Sequence, residues 1–201
     1  MRFSSLLFAA LAFSATFAHA ASVRVQVVDQ AGAPVQDVIV YALPVNGRAP
    51  ATKPAGIVID QVKRHFVPMV SVVQTGGSVS FPNKDNIEHD VYSFSPAKRF
   101  ELNLYHGIPA NPVVFDKAGL VVMGCNIHDT MVAYLLIVDT PWFAKTDANG
   151  AATIENVPAD SYKVIAWHPR LSDPNAQPTQ KVSAATADGA AKFNLTLKTA
   201  E

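Results

Sequence analysis

The sequence lacks several features that would each point to a class of protein. Its 201 residues include one cysteine, Cys125, so no disulfide can form within the chain. Lysine plus arginine number 16 and aspartate plus glutamate also number 16, so charge favours neither nucleic acid nor an anionic membrane surface as partner. No Ser/His/Asp order, pair of catalytic carboxylates or glycine-rich phosphate loop stands out. We therefore expect that the protein is not an enzyme.

Long hydrophobic runs are also missing, apart from a short one at the start of the chain. Arg2 is followed by mostly apolar residues from 6 to 17, and Ala18-His19-Ala20 fits a small-residue cleavage site. This pattern predicts an export signal over residues 1–20, cleaved after Ala20, and a periplasmic location. No later run approaches the ~20 apolar residues of a membrane-spanning helix, so we expect no membrane span.

What the chain does contain is a succession of short β-type patterns. Alternating or wholly apolar runs are separated by Gly, Pro, Asn and Asp, and no helical period exceeds two turns. The sequence thus predicts an all-β sandwich. Residues 23–28, a turn at 29–32 and residues 35–42 predict a hairpin, whereas residues 170–185, with Pro174 and Pro178, predict an exposed loop.

The most informative stretch is a seven-residue segment that carries three soft or borderline ligand types. Cys125, His128 and Met131 offer a thiolate, an imidazole and a thioether, a combination that selects copper when a second histidine completes the set. His89 is the candidate, because it follows the polar loop after Asn83. Two other interpretations are open: Cys125 could be an inert core residue, and zinc also accepts Cys and His, although the thioether argues against zinc.

The remaining histidines lack a comparable setting. None of His65, His106 and His168 shares a short loop with a cysteine and a methionine, as His128 does. We interpret each of them as a structural or surface residue.

Residues 56–139 resemble the cupredoxin family, of the plastocyanin and amicyanin type. The resemblance is carried by Phe66-Val67-Pro68, the run from Gly77 into Pro82-Asn83, His89, and the spacing Cys125-x2-His128-x2-Met131. The sequence around these motifs is also similar to that of periplasmic plastocyanin-like proteins labelled as methylamine-utilisation proteins. The resemblance implies a Greek-key sandwich and one mononuclear copper ion. It implies His89 and His128 as equatorial ligands, Cys125 as thiolate ligand and Met131 as weak axial ligand.

Two positions depart from the family pattern. Asp90 stands where an asparagine after the upstream histidine often ties the two ligand loops together. Gly124 stands where an aromatic residue commonly precedes the cysteine. We expect these departures to change the support and the surroundings of the thiolate. Nearby carboxylates, namely Glu88, Asp90 and Asp129, are possible competitors for the metal.

The flanking segments resemble a second kind of sandwich. Residues 22–46 and 140–201 together are similar to transthyretin-like, carboxypeptidase-regulatory β-sandwiches. One arrangement inserts a cupredoxin domain, residues 56–139, between strands of that sandwich. The other is a single cupredoxin with an added sheet packed along it.

These features support three functional hypotheses. The first is a periplasmic electron carrier, expected to be monomeric, that docks transiently with protein redox partners such as a dehydrogenase or a cytochrome. The second is a copper-binding protein for delivery or storage. The third is a metal-free β-sandwich interaction module.

Overall fold

The computed structural model describes residues 21–173, 176–185 and 187–199, and the predicted export signal at residues 1–20 lies outside them. The described residues form strands, turns and bridges and contain no helix. The all-β prediction is therefore confirmed. No helix in this part of the chain has the length and apolar character needed to span a bilayer.

The described residues contain seventeen strands. In chain order they are β1 (Ala21–Asp29), β2 (Ile39–Pro44), β3 (Ile57–Val58), β4 (Asp60–Val62), β5 (His65–Val67), β6 (Val70–Gln74), β7 (Gly77–Ser80), β8 (His89–Ser95), β9 (Lys98–Tyr105), β10 (Val113–Phe115), β11 (Gly119–Gly124), β12 (Val132–Val138), β13 (Phe143–Lys145), β14 (Ala151–Val157), β15 (Ser161–Trp167), β16 (Thr179–Ser183) and β17 (Gly189–Leu195).

Two sheets are built from the ends of the chain. One has the order β14-β1-β17 and the other the order β13-β2-β15-β16. Strand β1 pairs antiparallel with β14 and parallel with β17. Its Val23, Val25 and Val27 are buried while Arg24 is exposed, which is the alternation of a strand with one face in a core.

The predicted hairpin between residues 23–28 and 35–42 is wrong. Strands β1 and β2 belong to different sheets, and between their segments only the bridge Val28–Pro34 forms. The Asp29 carboxylate accepts hydrogen bonds from the N–H groups of Ala31 and Ala33. Asp37 then adopts a positive φ of 62°. The chain does turn at residues 29–32, as predicted, but this turn carries it from one sheet to the other.

The middle of the chain builds a five-stranded sheet, β6-β12-β11-β8-β9, and a three-stranded sheet, β10-β7-β3. Strand β12 contributes to two hydrophobic clusters. Leu135 and Ile137 pack with the central residues, whereas Leu136 and Val138 pack with residues of the terminal sheets. Burying each such side chain contributes ~1.5–3 kcal/mol. Because both faces of β12 are covered, its sequence is an apolar run without alternation.

The sequence patterns did not predict several of the strands. Strand β16 lies within the predicted loop at residues 170–185 and pairs with β15, but only its Val182 is buried. Strand β9 has no fully buried residue, although its Phe100, Leu102 and Tyr105 pack against the central hydrophobic cluster. The largely apolar segment at residues 65–74 forms two strands, because Pro68 has no N–H to donate to a ladder and separates β5 from β6.

The order of the central sheet brings the two candidate ligand segments together. Strand β8 begins at His89, and the neighbouring antiparallel strand β11 ends at Gly124, directly before Cys125. Gly124 is the register partner of Tyr92. The start of β8 and the end of β11 therefore lie at the same end of the sheet.

Candidate metal centre

The loop before His89 is organised by a buried asparagine. Asn83 donates from Nδ2 to the carbonyl oxygens of Ile87 and Tyr105, both at 2.8 Å. Its Oδ1 accepts the N–H of Asp85 at 3.0 Å. Asn83 is 5% exposed, and these three bonds hold both sides of the loop. The loop thus enters β8 in one conformation.

His89 is fully buried and has a carboxylate partner. Its Nε2 lies 2.9 Å from Oδ2 of Asp85. Partial burial works against ionisation of Asp85, but hydrogen bonds from the Arg64 N–H, the His89 ring and the Lys63 N–H outweigh it, and the pKa of Asp85 is lowered. An ionised carboxylate only accepts hydrogen bonds. The hydrogen bond therefore requires the proton of the neutral His89 ring to be on Nε2.

The other nitrogen of His89 is the clearest sign of a ligand. With the proton on Nε2, Nδ1 carries a free lone pair. This atom is buried and has no hydrogen-bond partner among the described residues. Buried polar atoms are almost always paired, so an unpaired one needs an explanation. A bound cation would supply the missing partner.

The downstream loop is tied to β8 through Asp90. The Asp90 carboxylate accepts the backbone N–H of Asn126 at 2.8 Å, its side-chain Nδ2–H at 2.7 Å and the Cys125 thiol at 3.0 Å. Asp90 is 3% exposed. The residue that departs from the family pattern thus links the two loops, and it does so with a carboxylate.

This carboxylate also affects the cysteine. Burial first, and then the hydrogen bond to Asp90, raise the pKa of the Cys125 thiol. Tyr105 is nearby as well: burial, followed by the charges that Cys125 and Asp90 carry when they are ionised, raises its pKa to about 12 against a hydrogen bond from Gln61. In the metal-free protein, the thiol form of Cys125 is favoured.

Three candidate ligands converge where the two loops meet. One ligand atom each from His89, Cys125 and His128 lie within 4.8 Å of one another. The Cys125 Sγ and His128 Nδ1 atoms are 3.9 Å apart, and the two imidazole rings meet edge to face with centroids 4.9 Å apart. Within the described residues, this is the one such group of three His, Cys, Asp or Glu residues. Two imidazoles with a thiolate fit copper.

Met131 lies in the same loop and is buried. Its N–H donates to the carbonyl oxygen of His128 at 2.9 Å, which closes the turn between them. Its side chain is 1% exposed and belongs to the hydrophobic cluster that also contains Cys125. The assignment of Met131 as axial ligand stays a prediction.

The other histidines lie outside the group. His65 and His106 are exposed, and His106 Nε2 is 4.0 Å from a Glu88 oxygen. His168 is 7% exposed, and burial together with Arg170 lowers its pKa to about 4. Among the carboxylates suggested as competing ligands, Glu88 and Asp129 are exposed.

Steric hindrance by Tyr92 explains why glycine occupies position 124. A Cβ atom there would lie 2.9 Å from Tyr92 Oη and 3.0 Å from its Cζ. The ring of Tyr92 therefore covers the backbone next to Cys125. An aromatic group does lie beside the cysteine, but it comes from the neighbouring strand.

Sequence reasoning missed Asp85 and Tyr92. Asp85 stands four residues before His89 in a polar loop, where a carboxylate gives no signal of its own. Tyr92 is recognisable only when the pairing register of β8 with β11 is known, and the sequence does not reveal that register.

Comparison with known proteins gives similarity to copper proteins over part of the chain. No family model matches, and no curated protein matches. A copper-containing nitrite reductase from Thermus scotoductus SA-01 is 24% identical with a TM-score of 0.40, over 47% of this chain and 25% of that one. A purple cupredoxin from Nitrosopumilus maritimus is 19% identical with a TM-score of 0.35, over 42% and 99%.

An oxidised amicyanin variant is 18% identical with a TM-score of 0.37, over 49% of this chain and 99% of its own. This chain thus spans a quarter of the nitrite reductase but nearly the whole of the two cupredoxins. With TM-scores below 0.5 and identities below 25%, these similarities do not assign the chain to a family.

Proposed function

We propose that the protein is a periplasmic copper protein that carries single electrons through a mononuclear site formed by His89, Cys125, His128 and Met131. The observation that carries the proposal is that ligand atoms of His89, Cys125 and His128 lie within 4.8 Å of one another, while Nδ1 of His89 is buried and has no hydrogen-bond partner among the described residues. Copper in such a site holds and releases one electron.

Hydrogen bonds in the two ligand loops would hold such a site rigid. Asn83 fixes the upstream loop, and Asp90 holds Asn126 of the downstream loop by two hydrogen bonds. Both loops are continuous with paired strands of one sheet. A site on rigid elements keeps its geometry better than one on free loops, which suits a group that gains and loses an electron.

His128 is the proposed exit for the electron. It is only partly buried, whereas His89 is fully buried. Its neighbour Ile127 is 51% exposed and lines a shallow depression with the 49% exposed Leu104. These two half-exposed apolar side chains can be covered by a docking partner. We propose that a transient protein partner, a dehydrogenase or a cytochrome, docks over this depression.

Burial of the cysteine weighs against a role in copper delivery. Cys125 is 4% exposed and its thiol is engaged with Asp90. A delivery protein has to exchange its metal with a partner and needs accessible ligands. Electron transfer requires only that the edge of one ligand approach the surface.

The proposal includes the location and the domain organisation. Export through residues 1–20 would place the protein in the periplasm. Residues 22–46 with 140–201 would form a transthyretin-like sandwich that carries the copper domain of residues 56–139. The pairing of β1 with β14 and β17 supports this division.

A visible spectrum of the copper-loaded protein tests the function. We expect an intense thiolate-to-copper band that is bleached by reduction and returns on oxidation. Cys125→Ala should abolish the band, while Asp116→Ala, at an exposed carboxylate, should leave it unchanged. A colourless wild-type protein that binds zinc as well as copper would contradict the proposal.

A further inference from the structure

The structure assigns a positioning role to Asp85. We infer that Asp85 fixes the orientation of His89 so that Nδ1 faces the metal, and that the turn between β4 and β5 holds Asp85 in place. This inference rests on the proposed copper function, which it deepens. Three sets of contacts support it.

The first set is the turn itself. Strands β4 and β5 pair antiparallel and are joined by Lys63 and Arg64. Both residues have positive φ, 52° and 61°, as the two central residues of a type I′ hairpin turn do. The N–H of Lys63 donates to Oδ1 of Asp85 at 2.6 Å, and the N–H of Arg64 donates to Oδ2 at 2.8 Å. Each carboxylate oxygen thus has its own backbone donor.

The second set fixes the hairpin to the upstream loop. The N–H of Gln61 in β4 donates to the carbonyl oxygen of Pro82 at 2.8 Å, and the N–H of Lys84 donates to the Gln61 carbonyl at 2.9 Å. The Lys84 ammonium lies 2.6 Å from the Asp60 carboxylate. The hairpin therefore cannot drift relative to Asp85 without breaking several bonds.

The third set is the contact with His89. Oδ2 of Asp85 accepts from Nε2 at 2.9 Å while the ring is fully buried. Without the carboxylate, Nε2–H would be a buried unpaired donor, which is unfavourable. The hydrogen bond would then no longer oppose rotation of the His89 ring. Partners of this kind orient metal-binding histidines, and their loss typically weakens metal binding by ~10–100-fold.

The test compares wild type, Asp85→Ala and Asp85→Asn, with Asp116→Ala as matched control. Asp116 is another ionised carboxylate whose pKa is lowered, chiefly by a backbone hydrogen bond and then by Lys98, but it is exposed and outside the site. Two quantities are measured: the exchange of the His89 Nε2 proton by NMR in the metal-free protein, and the dissociation constant of copper by competition.

We expect a slowly exchanging Nε2 proton in wild type and Asp116→Ala and its loss in Asp85→Ala. Copper binding by Asp85→Ala should weaken by ~10–100-fold. Asp85→Asn retains the size of the side chain and one acceptor oxygen, so it decides the matter if the alanine variant does not fold. In Asp85→Asn the His89 Nε2 proton should exchange faster than in wild type. The loss of copper affinity should be smaller than in Asp85→Ala.

The two measurements separate the possible failures. An Nε2 proton that persists in both Asp85 variants would overturn the inference, whatever happens to the affinity. Loss of the proton with unchanged copper affinity would also overturn it, because Asp85 would then be only structural. A wild-type protein that binds no copper but shows the Asp85-dependent proton would overturn the proposed function and leave the role of Asp85 in orienting His89 intact.

Discussion

The two histidines of the candidate site are held in different ways. His89 begins a strand, is fully buried, and has a carboxylate hydrogen-bonded to Nε2. His128 lies in a loop and is partly exposed. The difference suggests a division of labour: the buried histidine fixes the site, while the exposed one connects it to the surface.

The largest effect that would test this comparison comes from removing each histidine. His89→Gly and His128→Gly should both lose the thiolate-to-copper band. Added imidazole should restore it in His128→Gly, because the vacated position is open to solvent, but not in His89→Gly, where the space is enclosed. The band is measured against imidazole concentration, with Asp116→Gly as control.

Equal restoration in both histidine variants would show that the two positions are equally accessible. The proposed division between an anchoring and a connecting histidine would then be wrong.

A smaller effect is expected from cutting the link between the two loops. Asp90→Ala removes the acceptor of three hydrogen bonds, from the Asn126 N–H, the Asn126 side chain and the Cys125 thiol, and should lower the free energy of unfolding of the metal-free protein by ~1–3 kcal/mol. Asp90→Asn keeps one acceptor oxygen and should lower it less. Urea unfolding measures both. A loss from Asp90→Asn as large as that from Asp90→Ala would mean that charge, and not the hydrogen bonds, matters.

The reactivity of Cys125 gives a pH-dependent test of the downstream loop. Because burial and the Asp90 hydrogen bond raise the thiol pKa, less thiolate is present at a given pH than for an ordinary cysteine. Alkylation of the folded, metal-free protein should therefore reach half its maximal rate at a higher pH than alkylation of the urea-unfolded chain.

Asp90→Asn should move that midpoint to lower pH, since the carboxylate no longer opposes ionisation of the thiol. Each pKa unit corresponds to about tenfold in thiolate below the midpoint. A folded-state midpoint at or below that of the unfolded chain would contradict the role assigned to Asp90.

The smallest effect concerns the backbone beside Cys125. In Gly124→Ala the new Cβ would meet Tyr92, which is partly exposed and able to shift. We expect a loss of ~1 kcal/mol in stability and a small shift of the copper band. Adding Tyr92→Ala should remove the clash, so a double-mutant cycle should show coupling between the two positions. Additive effects would rule out the contact as the reason for glycine.

Sequence patterns predicted strands with regularly buried apolar residues, such as β1, and missed β16, which is mostly exposed. The alternation of β1 was readable because Val23, Val25 and Val27 are all buried. Strand β16 was not, because only its Val182 is buried. The hairpin prediction at residues 23–42 failed for another reason: a turn signal states that the chain changes direction, but not which strand it will pair with.

The candidate ligands were predictable to different degrees. Cys125, His128 and Met131 lie within seven residues, so their chemistry is visible in the sequence. His89 is 36 residues before Cys125 and could be selected only because it follows the polar loop after Asn83, a choice that the resemblance then supported. Asp85 and Tyr92 were not identified, because a loop aspartate and a strand tyrosine have many possible roles.

The sequence by itself determined the period-two patterns that make the chain all-β and the ligand types that its short loop offers. Local side-chain order suffices for both. Only the tertiary structure decided that β8 and β11 are neighbours, that a hairpin turn holds Asp85 against His89, and that Tyr92 covers Gly124. The reason is that strand order and register depend on which buried faces pack together across the whole chain, and the hydrogen bonds around His89 form only after that packing is complete.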